Sequence, residues 1–162
     1  MQKRQTNTMK GFTIIEVVLV LAIAGLIFLM VFIALPALQR SQRDTQRRDD
    51  MSRFMSAIQS YQSNNNGNLP TLTTQAGSTA FLNNYLKQDV GEFVDPDGTN
   101  YSINTNIDPG NQVAAGNIDH NIFFVSGARC GEDGNTIEND GARNYAILYR
   151  LEGAGVYCGD NN

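Results

Sequence analysis

The heptapeptide KGFTIIE, residues 10–16, opens an apolar run that continues to Leu35. As an α-helix, residues 12–35 would be about 36 Å long, which exceeds the roughly 30 Å of a bilayer's hydrocarbon core. Glu16 is the one acidic residue in this run, and an unpaired carboxylate in hydrocarbon costs ~2.5–3.5 kcal/mol or more. The stretch therefore predicts a membrane-spanning helix that carries a functional carboxylate near its start.

Two simpler interpretations compete with this one, namely a cleaved secretory signal and a plain membrane anchor. The run is too long for a signal peptide, whose shorter apolar region is followed by a small-x-small cleavage site. Hydropathy alone does not exclude a plain membrane anchor. Lys3, Arg4 and Lys10 favour a cytoplasmic N-terminus, although further arginines flank the other end of the run.

The hexapeptide Gly-Phe-Thr-Ile-Ile-Glu, which starts at Gly11, resembles the prepilin processing signature of type IV pilins and their pseudopilin relatives. The resemblance implies that a membrane-embedded peptidase cuts between Gly11 and Phe12 and N-methylates Phe12. It also implies that Thr13 and Glu16 serve assembly, with Glu16 pairing with the α-amino group of Phe12 in a neighbouring copy or in its own chain. Pro36 departs from the family pattern, because the helix-weakening proline of pilins usually comes earlier.

The charge balance argues against a general nucleic-acid-binding surface. The chain has 12 Lys and Arg against 16 Asp and Glu, and its net charge is −4. Loss of the leader residues Lys3, Arg4 and Lys10 would make the remainder still more negative, whereas a nucleic-acid footprint is basic. We therefore expect a soluble, acidic head and no specific nucleic-acid partner.

Cys130 and Cys158 are the only two cysteines, and they do not form a CxxC pattern. Since His120 is the single histidine, a metal site would lack ligands, and a disulfide is the simpler interpretation. A disulfide places the C-terminal part outside the cytoplasm. The loop that it closes is long enough for ~3.5 kcal/mol of stabilisation in the chain-entropy model.

The N-terminal helix is expected to continue beyond the membrane to Ser63. An apolar stripe at three- and four-residue steps indicates a helix face that packs on a head; its members are Met51, Phe54, Met55, Ile58 and Tyr61. Projected backwards, the stripe becomes charged, so we expect the head to pack only from about Met51 and to leave a bare neck before it. The Asn- and Gly-rich segment 64–70, closed by Pro70, ends the helix.

The rest of the chain predicts a short helix and a few strands. The helix is expected at residues 78–87, a turn at 95–101 that leads into a short strand after it, and a loop at 104–117. Strands are expected at 122–125, at 145–152, where residues alternate between a better-buried and a less-buried face, and at 156–158. The disulfide would tie the last strand to the end of the 122–125 strand.

Together these elements predict an α+β fold in which a long N-terminal transmembrane-to-exposed helix packs on a small antiparallel β-sheet head, as the pilin resemblance also implies. The expected divisions are a cleaved leader (1–11), a membrane-spanning half-helix (12–35), an exposed half-helix (36–63) and a globular head (64–162).

A row of arginines after the membrane run, Arg40, Arg43 and Arg47, suggests contact with lipid headgroups, because long cationic side chains reach the interface readily. DNA phosphate is a weaker candidate, since neighbouring heads in a filament would crowd this region. The plainest alternative is a solvated helix face with Arg40–Asp44 and Asp44–Arg48 pairs, worth only ~0.3–0.5 kcal/mol each.

Two acidic loops are candidates for calcium, which prefers several oxygen ligands. They contain Asp95 and Asp97, and Glu132 and Asp133. Neither has the EF-hand spacing, and turn formation explains both more simply. We expect no resident cofactor. No nucleophile, histidine and acid arrangement indicates an enzyme, and His120 is expected in a loop.

The resemblance implies a structural subunit of a type IV pilus, serving motility, adhesion or DNA uptake. A pseudopilin of a type II secretion or competence machine is the alternative, and a single-span anchored surface protein that never polymerises is a third possibility. The expected partners are other copies and related pilins, the prepilin peptidase, an inner-membrane assembly platform and lipid. The head would lie outside the cytoplasmic membrane and become extracellular in the pilus.

Overall fold

The computed structural model describes residues 11–108, 119–153 and 155–162. Helix α1 spans Ile14–Asn64 and contains Pro36, so the long helix is confirmed and ends one residue beyond the predicted Ser63. The chain divides into two compact units, of which the second comprises Arg40–Asn162. Helix α1 contributes residues to both units.

The C-terminal end of α1 is fixed by the residues that the sequence indicated. Asn66 and Gly67 have φ angles of 55° and 78°, and the Gly67 N–H donates to the carbonyl of Gln62 over 2.8 Å. This left-handed pair satisfies a carbonyl of the last turn and directs the chain away from the helix axis.

Helix α2 spans Gln75–Leu86 and therefore starts before the predicted residue 78. Thr74 caps it, because its side chain accepts a hydrogen bond from the Gly77 N–H over 3.1 Å. A short 3₁₀ helix follows at Gln88–Val90.

The head contains a four-stranded sheet in the order β1-β2-β5-β6. Its strands are β1 (Ser102–Asn104), β2 (Asn121–Ser126), β5 (Tyr145–Arg150) and β6 (Val156–Asp160). All pairs are antiparallel except β1 with β2, which is parallel. The predicted loop at 104–117 begins inside β1, and its residues from 109 onward lie outside the described part of the chain.

Strands β3 (Ala128–Cys130) and β4 (Ile137–Asn139) form a separate two-stranded antiparallel sheet that the sequence analysis did not predict. This small sheet gives the second face of the main sheet a partner, so β5 is buried on both faces. Tyr145, Ile147 and Tyr149 join the core against α1 and α2. Ala146 and Leu148 are also fully buried, in a second cluster with Ala128 and Ile137.

A disulfide joins Cys130 in β3 to Cys158 in β6. The predicted cysteine pair is confirmed. The bond links the small sheet to the edge of the main sheet, because Cys130 belongs to β3 and not to the end of the 122–125 strand. The Cys130 N–H also donates to the Asp160 carboxylate over 2.7 Å. The two sheets are thus tied at this edge by a covalent bond and a hydrogen bond.

Candidate functional site

Thr13 and Glu16 form a reciprocal cap at the start of α1. The Glu16 Oε2 accepts hydrogen bonds from the Thr13 N–H and the Thr13 hydroxyl, both over 2.8 Å. In return, the Glu16 N–H donates to the Thr13 Oγ1 over 3.4 Å. This is the capping box of a T-x-x-E sequence, and it satisfies N–H groups that the helix itself leaves without partners.

The capping box changes the interpretation of Glu16 in the single chain. Its carboxylate is engaged by Thr13, although no cation pairs with it among the described residues. The T-x-x-E spacing is visible in the sequence and is the local signal for this cap. The structure shows that Glu16 also stabilises the first turn of α1.

The first part of α1 exposes its apolar side chains. Large hydrophobic residues from Phe12 to Leu38 are 44–89 % exposed. Helix α1 is long and apolar enough to cross a membrane. Such a surface is unfavourable in water, so this segment requires an apolar environment or helical partners.

In the second unit, the Arg47 guanidinium lies at the centre of a buried ionic cluster. The Arg47 side chain is only 1 % exposed. Its Nε and Nη2 donate to the two carboxylate oxygens of Asp95, each over 2.8 Å. Its Nη1 donates to Asp44 over 3.0 Å and to Glu152 over 3.2 Å. Three carboxylates from separate parts of the chain therefore converge on one cation.

Further hydrogen bonds complete this Arg47 cluster. Asp44 accepts the backbone N–H groups of Glu152 and Gly153 over 2.8 and 2.7 Å. Arg43 holds Glu152 through two bonds of 2.7 and 2.5 Å. The Tyr149 hydroxyl donates to Asp95 over 2.9 Å. The cluster thereby fixes the turn after β5 and the Asp95 turn to helix α1.

The ionisation of the cluster follows from these contacts. Hydrogen bonds from Arg43 outweigh the effect of burial and lower the pKa of Glu152 to about 2. Burial alone would lower the pKa of Arg47, but its bonds to Asp95, Glu152 and Asp44 raise it above its ordinary value. Both groups are therefore charged at neutral pH.

The expectation of a bare neck before Met51 is wrong. Asp44 and Arg47 are buried by the head, because the helix face of the apolar stripe continues backwards as an ionic contact. The pairs Arg40–Asp44 and Asp44–Arg48 are not the ones observed in the described chain. Asp44 pairs with Arg47, and Arg40 approaches Glu152 at 3.8 Å.

The arginine row is therefore divided among different environments. Arg47 is enclosed and is not available to lipid headgroups or DNA in this structure. The Arg43 side chain is 34 % exposed and bound to Glu152, whereas that of Arg40 is 61 % exposed. The roles of Glu152 and Asp95 were not predicted from the sequence. The one signal for an acidic partner is that the buried face of α1, projected backwards, passes through Arg47.

The carboxylates of the two acidic loops mainly accept hydrogen bonds from within the protein. Asp95, Asp97 and His120 have ligand atoms within 4.8 Å of one another, but both Asp95 oxygens already accept hydrogen bonds from Arg47. The Asp133 carboxylate accepts from the backbone N–H groups of Asn135 and Thr136. Glu132 is exposed. Asp95 and Asp133 therefore already have hydrogen-bond partners within the protein.

His120 occupies a loop position with φ of 56°, and its Nε2 lies 2.7 Å from Asp97 Oδ2. Hydrogen bonds lower the pKa of Asp97 to about 2. The largest effect comes from the backbone N–H of Thr99, and the bond to the His120 ring adds to it. The pair closes the Asp95–Tyr101 turn against the start of β2.

Comparison with protein-family models, curated proteins and solved structures finds no match for this chain. The long apolar N-terminal helix, the small sheet head and the disulfide are consistent with a pilin-like fold. The class is therefore an α+β protein whose helix α1 is long and apolar enough to span a membrane, compatible with a pilin-like surface subunit.

Arg47→Met is expected to lower the free energy of unfolding by about 3–5 kcal/mol, because it leaves the Asp95 and Asp44 carboxylates buried without their cation. Arg48→Met, at an exposed position of the same helix turn, is the matched control and should change it by less than about 0.5 kcal/mol. Denaturant unfolding followed by near-ultraviolet circular dichroism measures both. Equal losses in the two variants would contradict the central role of the Arg47 cluster.

Glu152 should make stability pH-dependent below about pH 4.5. Its pKa falls from 4.5 to about 2 on folding, so its contribution is complete above 4.5 and is lost as the pH falls towards 2. The stability difference between the wild type and Glu152→Gln should shrink across this window. Asp97 titrates in the same range, so Asp97→Asn is included to separate its effect. A difference that stays constant from pH 6 to pH 2 would disprove the assignment.

Proposed function

We propose that this protein is a structural subunit of a type IV pilus. A peptidase cuts between Gly11 and Phe12 and methylates the new N-terminus, after which the apolar helices of many copies bundle into a filament core. The observation that carries the proposal is a Gly-Phe pair directly before a capped, membrane-length helix whose apolar side chains are exposed. Bundling would remove that surface from both lipid and water.

Glu16 is proposed to have two successive roles. In the single chain it caps the first turn through Thr13. After processing, the Phe12 α-amine becomes a cation next to this cap, and Glu16 pairs with that amine in an adjacent copy. In an apolar bundle a misaligned copy would leave the carboxylate without its cation, so the pair would select the correct axial register.

The activity proposed is assembly and presentation, without catalysis. The partners are further copies and related pilins, the prepilin peptidase and an inner-membrane assembly platform. Before assembly the subunit is a single-pass protein of the cytoplasmic membrane with its head outside, and afterwards it forms part of an extracellular pilus. Arg40, with its exposed side chain, remains the arginine suited to lipid headgroups.

A pseudopilin of a secretion or competence machine is the second candidate. The segment Asp95–Tyr101 resembles a turn common in pilin-like and pseudopilin heads and mildly favours the pseudopilin; it closes with an Asp95 N–H bond to the Thr99 carbonyl over 2.9 Å. A non-polymerising anchored protein is the third candidate. Long surface filaments would favour the pilin over both.

The proposed cleavage and methylation predict the mass of the mature chain. The protein recovered from cell envelopes should begin at N-methylated Phe12, and intact mass spectrometry with N-terminal sequencing measures this. Gly11→Leu should abolish the cut, because it alters the residue before the scissile bond. A wild-type chain that retains the leader through Gly11 would exclude prepilin processing and favour the plain anchor.

Glu16→Gln separates the two proposed roles of Glu16. Glutamine also completes a capping box, so this variant keeps the helix start but removes the charge. We expect Glu16→Gln and Glu16→Ala to be processed normally and to lower filament yield at least tenfold, roughly the effect of a lost charge pair. Thr13→Ala, which removes the hydroxyl of the cap, should reduce yield less. Normal filament yield from Glu16→Gln would show that the charge is not needed.

A further inference from the structure

A groove runs along the head between the outer edge of β1 and the N-terminal half of α2. Its volume is about 370 Å³, and a second groove of about 420 Å³ shares Leu72, Thr73 and Thr105 with it. Among the described residues, every side chain that lines either groove is uncharged. This neutrality is notable in a chain with 28 charged residues, 12 basic and 16 acidic.

Internal hydrogen bonds fix the amide groups of the first groove. Asn121 Oδ1 accepts from the Ser102 hydroxyl over 2.6 Å, and Asn104 Oδ1 accepts from the Asn106 N–H over 2.8 Å. Gln88 Nε2 donates to the Tyr101 carbonyl over 2.8 Å. Each amide is thereby held in one orientation, which leaves the Asn104 and Asn121 Nδ2 groups as donors and the Gln88 Oε1 as an acceptor.

The edge of β1 adds one backbone donor and one acceptor. The Ser102 N–H donates to the His120 carbonyl over 2.9 Å on the β2 side. Because alternate residues of a strand in a parallel pair bond to opposite sides, the N–H and C=O of Ile103 face the outer edge. By the same alternation, the Tyr101 carbonyl also faces the outer edge, where it accepts the hydrogen bond from Gln88.

We propose that this groove binds a neutral saccharide of one or two sugar units. Fixed amide donors, an amide acceptor and threonine hydroxyls match the hydroxyls of a sugar, while the half-buried Ile103 supplies an apolar surface for its C–H groups. An ionic ligand would find no counter-charge among the described lining residues. A peptide strand is less suitable, because Ile103 is the one residue within β1 (Ser102–Asn104) whose backbone groups face this edge. The volume lies within the usual range for small-ligand sites.

The test uses the full chain in phosphatidylcholine nanodiscs, because glycoside detergents would themselves compete for the groove. The probes are the methyl glycosides of glucose, galactose and mannose, N-acetylglucosamine, and the disaccharides lactose and maltose. Saturation-transfer NMR detects the bound sugar, and side-chain amide signals report on Asn104 and Asn121.

The double variant Asn104→Asp and Asn121→Asp keeps the acceptor oxygens that hold Asn106 and Ser102 but removes both amide donors. The control, Asn68→Asp with Asn84→Asp, makes the same charge change at exposed positions outside the groove. Thr79→Arg, which fills the groove from α2, is a second variant that does not alter the amides.

For the wild type we expect saturation transfer to at least one probe. The double variant and Thr79→Arg should each lose affinity for that probe by about tenfold or more, whereas the control should bind it with unchanged affinity. Absence of transfer to every probe, equal binding by the wild type and both groove variants, or amide shifts only with an extended peptide would each overturn the proposal. The measurement is made on the single subunit, so its outcome is independent of filament formation.

Discussion

The buried Arg47 guanidinium is the constraint on which the arrangement of the head depends. A cation taken out of water is tolerated only where acceptors replace its hydration. Asp44, Asp95 and Glu152 supply these acceptors from helix α1, from the turn before β1 and from the turn after β5. Because each element must deliver a carboxylate to the same point, the cluster fixes the position of two turns against the helix. Hydrophobic packing, which lacks direction, would not define those positions as narrowly.

Helix α1 meets two different physical requirements along its length. From Phe12 to Leu38 its large apolar side chains are exposed, which suits lipid or a bundle of like helices. From Asp44 onward one face is buried by the head, first through ions and then through Met51, Phe54 and Ile58. The capping box at Thr13 and Glu16 fixes where the helix begins. One continuous helix thus serves both the proposed filament core and the framework of the head.

Elements with a local signal could be predicted from the sequence. The apolar run and the Asn-Gly helix end depend on neighbouring residues, and the structure has both. The strand that starts at Tyr145 was also predicted, but the expected difference between its two faces is wrong, because Tyr145–Tyr149 are all buried. The β3–β4 sheet could not be predicted, because its strands have three residues each and carry too little pattern to detect. The prediction of an exposed neck before Met51 was wrong. It assumed that the charged face of α1 is solvated, whereas Asp95 and Glu152 reach this face from distant parts of the chain.

The sequence by itself therefore determined the helix, its membrane-length apolar segment, the T-x-x-E cap and the pair of cysteines available to form a disulfide. These features follow from composition and from periods of two to four residues, which act within one element. Only the tertiary structure decided that Arg47 is enclosed, that β5 is buried on both faces and that a neutral groove forms beside β1. Each of these needs residues 48 to 105 positions apart, or separate strands and helices, to meet in space. Such meetings depend on chain topology, which no local pattern encodes.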